Sequence, residues 1–313
     1  MNNLEDIKVA VIGAGRMGRI RAGACVSLGA KVVSICDPSE ATAVELANEL
    51  GHCDAITSEK DIPWDIIDAI FVCTPPVHRG PVESAALNRS LPFFVEKPIA
   101  VNASQVDPIV NRLQQASNLS AVGYQNRHRA SLKYVKESID QEKVLGFSAQ
   151  WVGGAYKVPW WSQVSESGGA VNEQATHLLD MARYLLGEVT SVQAMSSDPA
   201  STSCVISLEF ANDAVGSIFY SYGYSDKSIG ISIFTSDRTL RLEGWDFRFE
   251  GEDLSYPEGD PSVAHRNAIF VYEVSVFLKA VCNKHTSTSL CDFADAYKSQ
   301  TLVDQVVSVL ENS

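Results

Sequence analysis

The sequence contains no apolar run approaching the ~18 residues that a membrane-spanning helix requires, which excludes a helical transmembrane protein. Positive charge is also in short supply: 25 lysines and arginines stand against 38 aspartates and glutamates, a formal charge of −13. A chain of that sign repels phosphate backbones and anionic lipid surfaces, so neither nucleic acid nor membrane is an expected partner. Met1–Asp6 is acidic and polar rather than the basic opening of a signal peptide. Cysteine is scarce and unpaired: there are seven, an odd number without paired spacing, mostly within apolar segments such as Ile35-Cys36 and Val72-Cys73. They read as small hydrophobes in a reducing compartment, not as a disulfide frame or a zinc site. The expected compartment is the cytoplasm, and no metal is expected.

What is present suits a soluble globular protein. The 313 residues are 45% hydrophobic and 20% charged, enough chain for two domains. Lys8–Ile12 is a buried-strand run, followed at once by Gly13-Ala-Gly15-Arg16-Met17-Gly18 and a helix-compatible segment, Arg19–Leu28. G-x-G-x-x-G alone is a weak signal, but strand before and helix after is the context in which it binds a dinucleotide. Gly13 permits the tight turn, Gly15 lets backbone N–H groups approach a pyrophosphate, and Gly18 allows close helix–strand packing. A second strand, Ala30–Cys36, ends in Asp37, where a ribose-binding carboxylate belongs. At ~4 Å a carboxylate repels a 2′-phosphate by roughly 1 to 4 kcal/mol, so the expected cofactor is NAD, with NADP left open.

Strand and helix go on alternating. Ser39–Leu50 reads as a helix bounded by Asp37-Pro38 and Gly51, Asp68–Cys73 as an apolar strand running into Thr74-Pro75-Pro76-Val77-His78, and Arg79–Asn88 as a helix. Pro92–Val95 reads as a buried strand that leaves an acid and a base, Glu96 and Lys97, at its carboxyl end. Pro98 is expected to end that strand and to pre-set φ for a following helix. A helix from Asn102 to about Ser117 and a strand over Ser120–Tyr124 close the series. Such alternation predicts a parallel sheet with right-handed crossovers, whose ligands lie at the carboxyl ends of its strands. His78 suits a loop near the cofactor or a structural role equally.

After Gln125 the pattern changes. Gly146–Val152, Ser191–Ser196, Ser203–Phe210, Val215–Tyr222, Ser228–Thr235, Thr239–Glu243 and Asp246–Glu250 read as strands, several alternating with period two, and Asn212-Asp213 as a hairpin turn. The expected fold is α/β followed by α+β: residues 1–123 with a parallel sheet, and residues 124–313 with a large, mostly antiparallel open sheet. Gly251–Asp260 reads as a loop. Ala264–Cys282 and Asp292–Leu310 read as amphipathic helices, the last expected to pack back on the first domain. Exposed sheet faces and edges need covering, which makes a homo-oligomer, dimer or tetramer, a reasonable expectation.

The second stretch carrying chemistry runs from Ser167-Gly-Gly through Glu173 and His177 to Asp180 and Gly187. At helical spacing Glu173 and His177 share a face. They read as a surface ion pair, as part of a zinc site, or as a catalytic dyad; a second histidine at ligand spacing is lacking for zinc. Arg127-His128-Arg129 suits contact with substrate or ribose as well as a solvated linker. Tyr156, Trp160 and Trp161, flanking Pro159, suit a wall against which a sugar ring stacks, or ordinary core.

Taken in order, Gly13-Ala-Gly15-Arg16-Met17-Gly18, Thr74-Pro75-Pro76-Val77-His78 and Glu96-Lys97-Pro98 resemble the glucose–fructose oxidoreductase/inositol dehydrogenase/MocA family, and the Gly-Gly…Glu173…His177…Asp180 stretch extends the resemblance over most of the chain. Glu173 departs from it, because aspartate is usual there. The resemblance implies an N-terminal Rossmann domain whose Thr74-Pro75 and Glu96-Lys97 line the nicotinamide end of the cofactor, a C-terminal sheet used in subunit contact, and hydride transfer between nicotinamide and a secondary alcohol or ketone of a sugar or polyol. It implies that Lys97, His177 and Glu173 act on substrate: His177 as proton acceptor, Lys97 orienting and polarising the hydroxyl oxygen, Glu173 holding the imidazole in one tautomer. Some relatives are ligand-sensing regulators without turnover, and others use a tightly held NAD transiently in elimination or hydrolysis.

Overall fold

The computed structural model describes residues 4–51, 53–115, 118–198, 201–249, 267–284 and 287–312. The chain divides into two compact units, one of residues 1–100, 104–125 and 261–297, the other of residues 101–103, 126–260 and 298–313.

The first unit is built from β1 (Lys8–Ile12), α1 (Arg16–Ser27), β2 (Lys31–Cys36), α2 (Glu40–Leu50), β3 (Asp54–Ile56), β4 (Ala69–Val72), α3 (Pro81–Leu87), β5 (Phe93–Val95), α4 (Asp107–Leu113) and β6 (Ser120–Val122). Its six strands lie in the order β3-β2-β1-β4-β5-β6, and every pairing is parallel. That is the doubly wound order, which reverses direction between β1 and β4 and opens a crevice at their carboxyl ends. The central strands are apolar on both faces because helices cover both: β4 is buried at all four positions and β5 at all three. At α2, Ser39 Oγ accepts the Thr42 N–H at the start and Gly51, at φ 91°, ends the helix.

Two local expectations for this unit change, and one strand is added. Strand β3 was not read from the sequence; it is three residues long with two of them exposed, so it shows no alternation. Pro98 opens no helix, and the peptide before it is cis. The helix expected from Asn102 is instead a 3-10 turn over Ala103–Val106 followed by α4, which has Pro108 in its first turn, where no N–H is needed.

The second unit contains α5 (Ala130–Ile139), β7 (Val144–Gly154), α6 (Val164–Ser167), α7 (Thr176–Leu186), β8 (Val189–Ser196), β9 (Ser203–Phe210), β10 (Val215–Ser221), β11 (Gly223–Thr235), β12 (Thr239–Glu243) and β13 (Arg248–Phe249). Seven strands run in the order β13-β12-β11-β7-β10-β9-β8. All pairings are antiparallel except β7 with β10. The hairpin between β9 and β10 turns at Asn212-Asp213, with Asp213 at φ 66° and Asn212 Oδ1 accepting the Ala214 N–H. One sheet face packs Phe147, Ile206, Leu208, Ile218, Ile231 and Leu242 against Leu178, Met181 and Leu185 of α7.

The chain then supplies α8 (Ala268–Asn283) and α9 (Phe293–Glu311). Helix α8 belongs to the first unit and packs on α1, while α9 begins in the first unit and continues, from Lys298, in the second. The loop expected over Gly251–Asp260 lies outside the described residues, as do Glu250 and the start of the helix expected from Ala264.

Candidate active site

In the first unit, four loops leave the carboxyl ends of β1, β2, β4 and β5, and each carries a residue singled out above. Gly13 has φ 93°, and a Cβ there would sit 2.8 Å from the Cys73 carbonyl. At Gly18 a Cβ would come within 1.8 Å of the Gly13 oxygen, so the loop and helix can meet only through glycine. Gly15 has open space where a side chain would be, and as the residue preceding α1 it contributes no side-chain cap. The first-turn N–H groups of α1 therefore face an open approach, the arrangement that receives a phosphate. Arg16 is exposed and Met17 half-buried beside it.

Asp37, at the end of β2, accepts hydrogen bonds from the Ala14 N–H (2.9 Å) and the Ser39 N–H (2.9 Å). It ties the glycine loop to the neighbouring strand and stays half-exposed. These residues fit a dinucleotide.

At the end of β4, Thr74 and Pro75 are half-buried and His78 is exposed. Arg79, which sequence reading passed over, is 3% exposed and staples two loops together. Its guanidinium donates to the Val72 carbonyl (3.0 Å), the Thr74 hydroxyl (3.1 Å) and the Glu96 carbonyl (3.0 Å). It thereby sets the spacing of Thr74 and Glu96-Lys97. Lys97 is half-buried, whereas Glu96 is buried and accepts from Arg21 Nε at 2.5 Å.

In the second unit, Glu173 and His177 are each 4% exposed, which removes the surface ion pair from consideration. Glu173 lies in a π-helical turn, Val171–Ala175, that leads into α7, so the regular helical spacing read from the sequence is widened there. Such bulges recur at functional sites. Side chains on either side hold the turn: Asn172 donates to the Ser167 carbonyl (2.8 Å) and accepts from Gln300 (2.8 Å), and the Tyr220 hydroxyl donates to Gln174 (2.8 Å). The Trp151 indole lies parallel to the His177 ring, 5.5 Å between centroids and 10° between planes. Among the described residues, no group of three or more metal-ligating side chains occurs.

Arg127-His128-Arg129 is not a solvated linker, because all three are buried. Arg127 grips Asp180 with two bonds (2.9 and 2.6 Å), and Ser299 Oγ donates to the same carboxylate at 2.7 Å. Asp180 is thus committed to the fold. Trp161 is buried, while Tyr156 and Trp160 are partly open. Trp161 makes edge contacts with Tyr156 (6.0 Å) and with Tyr222 (5.3 Å), an aromatic residue that sequence reading missed.

A doubly wound sheet with this glycine loop defines a dinucleotide-binding protein of the Rossmann class. Residues 7–124 match the family model described as an oxidoreductase family with an NAD-binding Rossmann fold, and residues 142–241 match the C-terminal domain model of the same GFO/IDH/MocA family. The chain belongs to that family. Among curated relatives it is similar to scyllo-inositol 2-dehydrogenase (NAD(+)) of Bacillus subtilis, 29% identical over 60% of this chain and 56% of that protein. It is also similar to 2,7-anhydro-N-acetylneuraminate hydratase of Mediterraneibacter gnavus, 27% identical over 59% of this chain and 50% of that one. These matches span about half the length of the relatives. Among solved structures, levoglucosan dehydrogenase in complex with NADH and L-sorbose shares the fold with a TM-score of 0.85 at 21% identity, covering 98% of this chain and 97% of that one.

Proposed function

We propose that the protein is an NAD-dependent dehydrogenase that oxidises a secondary alcohol of a sugar or polyol, or reduces the corresponding ketone, in the cytoplasm. The observation that carries this reading is the set of groups at the carboxyl end of the parallel sheet: an open glycine loop, Asp37 at the ribose position, and Lys97 on a loop braced by Arg79. The names of the inositol and levoglucosan dehydrogenases among its relatives support the substrate class.

When bound, the nicotinamide exchanges a hydride with the substrate carbon, and the protein must handle the hydroxyl proton. Gly13, Gly15, Arg16, Met17 and Gly18 hold the pyrophosphate, Asp37 the ribose, and Thr74, Pro75, His78 and Glu96 border the nicotinamide end. Lys97 orients and polarises the reacting oxygen. His177 takes its proton and returns it in the reductive direction, with Glu173 holding the imidazole in one tautomer. Tyr156, Trp160 and Trp161 offer an apolar wall to the C–H face of a sugar ring. The protein works as a homo-oligomer, dimer or tetramer, through the outer face of its seven-stranded sheet.

The test is a panel of inositols and hexoses with NAD⁺ and NADP⁺, followed at 340 nm. NAD⁺ should be preferred, and Lys97→Ala or His177→Ala should lower kcat by on the order of 10²–10⁴ while NADH binding changes little. A Lys97→Ala protein that turned over at the wild-type rate would remove the assignment. The hydratase relative favours a second reading, transient oxidation with the cofactor regenerated, which would appear as product formed without net NADH.

A further inference from the structure

Behind Lys97 lies a chain of buried charge that hydride chemistry does not itself require. Arg21 of α1 is 0% exposed. Its Nε donates to Glu96 Oε1 at 2.5 Å and its Nη1 stands 2.7 Å from Glu273 Oε2 of α8. The guanidinium is sandwiched between rings, 4.5 Å from the Phe94 centroid and 5.2 Å from that of Phe270. Space for it is reserved: a Cβ at Gly123 would lie 2.9 Å from both Arg21 Nη2 and Glu96 Oε2. Thus β6 is followed by a residue that leaves room for the ion pair. Burying one cation and two carboxylates is costly, and apolar residues would fill the same volume more cheaply. Its placement against the residue preceding Lys97 supplies a reason for keeping it.

We propose that Arg21 and Glu273 are positioning residues for the Glu96-Lys97 dipeptide, a carboxylate–guanidinium–carboxylate brace from α8 through α1 to the end of β5 that fixes the Lys97 amine and sets its electrostatic surroundings. The inference rests on the reading of Lys97 as a catalytic group. The titratable groups that face the guanidinium are Glu96 after β5, Glu273 on α8, Cys73 after β4 and Cys25 on α1 itself; burial keeps both thiols neutral, so the two carboxylates set the field. Arg79 approaches the same loop from the far side, bonded to the Glu96 carbonyl. Burial raises the Glu273 carboxyl to about 7, against the lowering effect of Arg21 and with a further rise from Glu96. Near neutrality Glu273 therefore exchanges a proton. In its ionised state it competes with Glu96 for the one guanidinium, and in its neutral state it leaves Arg21 to Glu96. The brace thus couples an event on α8 to the lysine loop.

Glu273→Gln keeps the shape of the side chain and removes the titration, so it is the first variant, with Arg21→Met as a harsher second. Two readouts are taken. One is kcat and KM against pH on the inositol and hexose panel. The other is the titration of the Lys97 amine by NMR of ¹³C-dimethylated lysines, with its signal identified by loss in Lys97→Ala. In Arg21→Met the expected result is a kcat lowered on the order of 10-fold or more with the KM for NAD⁺ little changed, as for a catalytic group displaced by a fraction of an ångström. In Glu273→Gln, which holds that position neutral, kcat should match the wild type below about pH 6 and depart from it above about pH 8. The pH profile and the Lys97 titration midpoint should move together. An unchanged Lys97 titration and unchanged pH profile, with only the melting temperature altered, would overturn the proposal and leave a structural charge cluster. The catalytic reading fails separately: a Lys97→Ala protein at the wild-type rate removes the role of Lys97, whereas the NMR arm still judges the coupling.

Discussion

At the residue scale, Glu273 has a consequence for stability. Its carboxyl is fully buried and pushed up to about 7, whereas in the unfolded chain it titrates near the ordinary value of about 4.3. Between those two values the folded state holds a proton that the unfolded state has lost. The group's contribution is therefore complete below about pH 4 and is lost as pH rises through 7. The melting temperature of the wild type should fall relative to that of Glu273→Gln between pH 5 and pH 8, and parallel melting curves would contradict this. Arg21 behaves in the opposite sense: burial works against its charge, but Glu96 and Glu273 outweigh burial and keep it protonated. Asp180 and Arg127 make the corresponding buried pair in the second unit, where Ser299 bridges from Asp180 to Arg183 at 2.7 Å.

At the scale of elements, the functional segments are those where a regular element is interrupted. At the β1–α1 junction Gly13 and Gly18 approach with no side chain between them, and Gly18 is its tightest point. Gly18→Ala should abolish NADH binding, read by quenching of intrinsic fluorescence, because the added Cβ must push the Gly13 backbone out of its turn. Retention of wild-type affinity would show that the loop takes another form. The π turn Val171–Ala175 is a second interruption, clamped by Asn172, Gln300 and the Tyr220–Gln174 bond. From sequence the segment scans as one helix, since Glu173, His177 and Met181 keep helical spacing, and only the closure of the turn distinguishes π from α. The same limit applied at Pro98, where a rule about helix starts met a loop with no helix behind it.

At the scale of the molecule, the outer face of the seven-stranded sheet is where a larger assembly would form. Phe219, Val205 and Met195 lie in one row across β10, β9 and β8, and they are 42%, 39% and 68% exposed. An apolar row on an otherwise serine-rich sheet face is a surface that association would bury. Phe219→Glu should shift the protein toward monomer in sedimentation velocity, and an unchanged sedimentation coefficient would place the contact elsewhere. Among the described residues no helix is long and apolar enough to cross a membrane.

What could be read from the chain alone was whatever depends on neighbours in sequence. The glycine loop, the Asp37 carboxylate, the Glu96-Lys97 pair and the alternation of β9 and β12 are local requirements of turns, strand ends and pleats, so they are visible as spacing. The tertiary structure alone decided which distant charges meet. Arg21 lies in a segment that reads only as helix-compatible, Arg79 opens one that reads as a helix, and Glu273 lies in one that reads as an amphipathic helix. Each is paired across elements because burial in a low-dielectric interior makes an unpaired charge too costly, and the folded chain had to bring its partners to it from other elements.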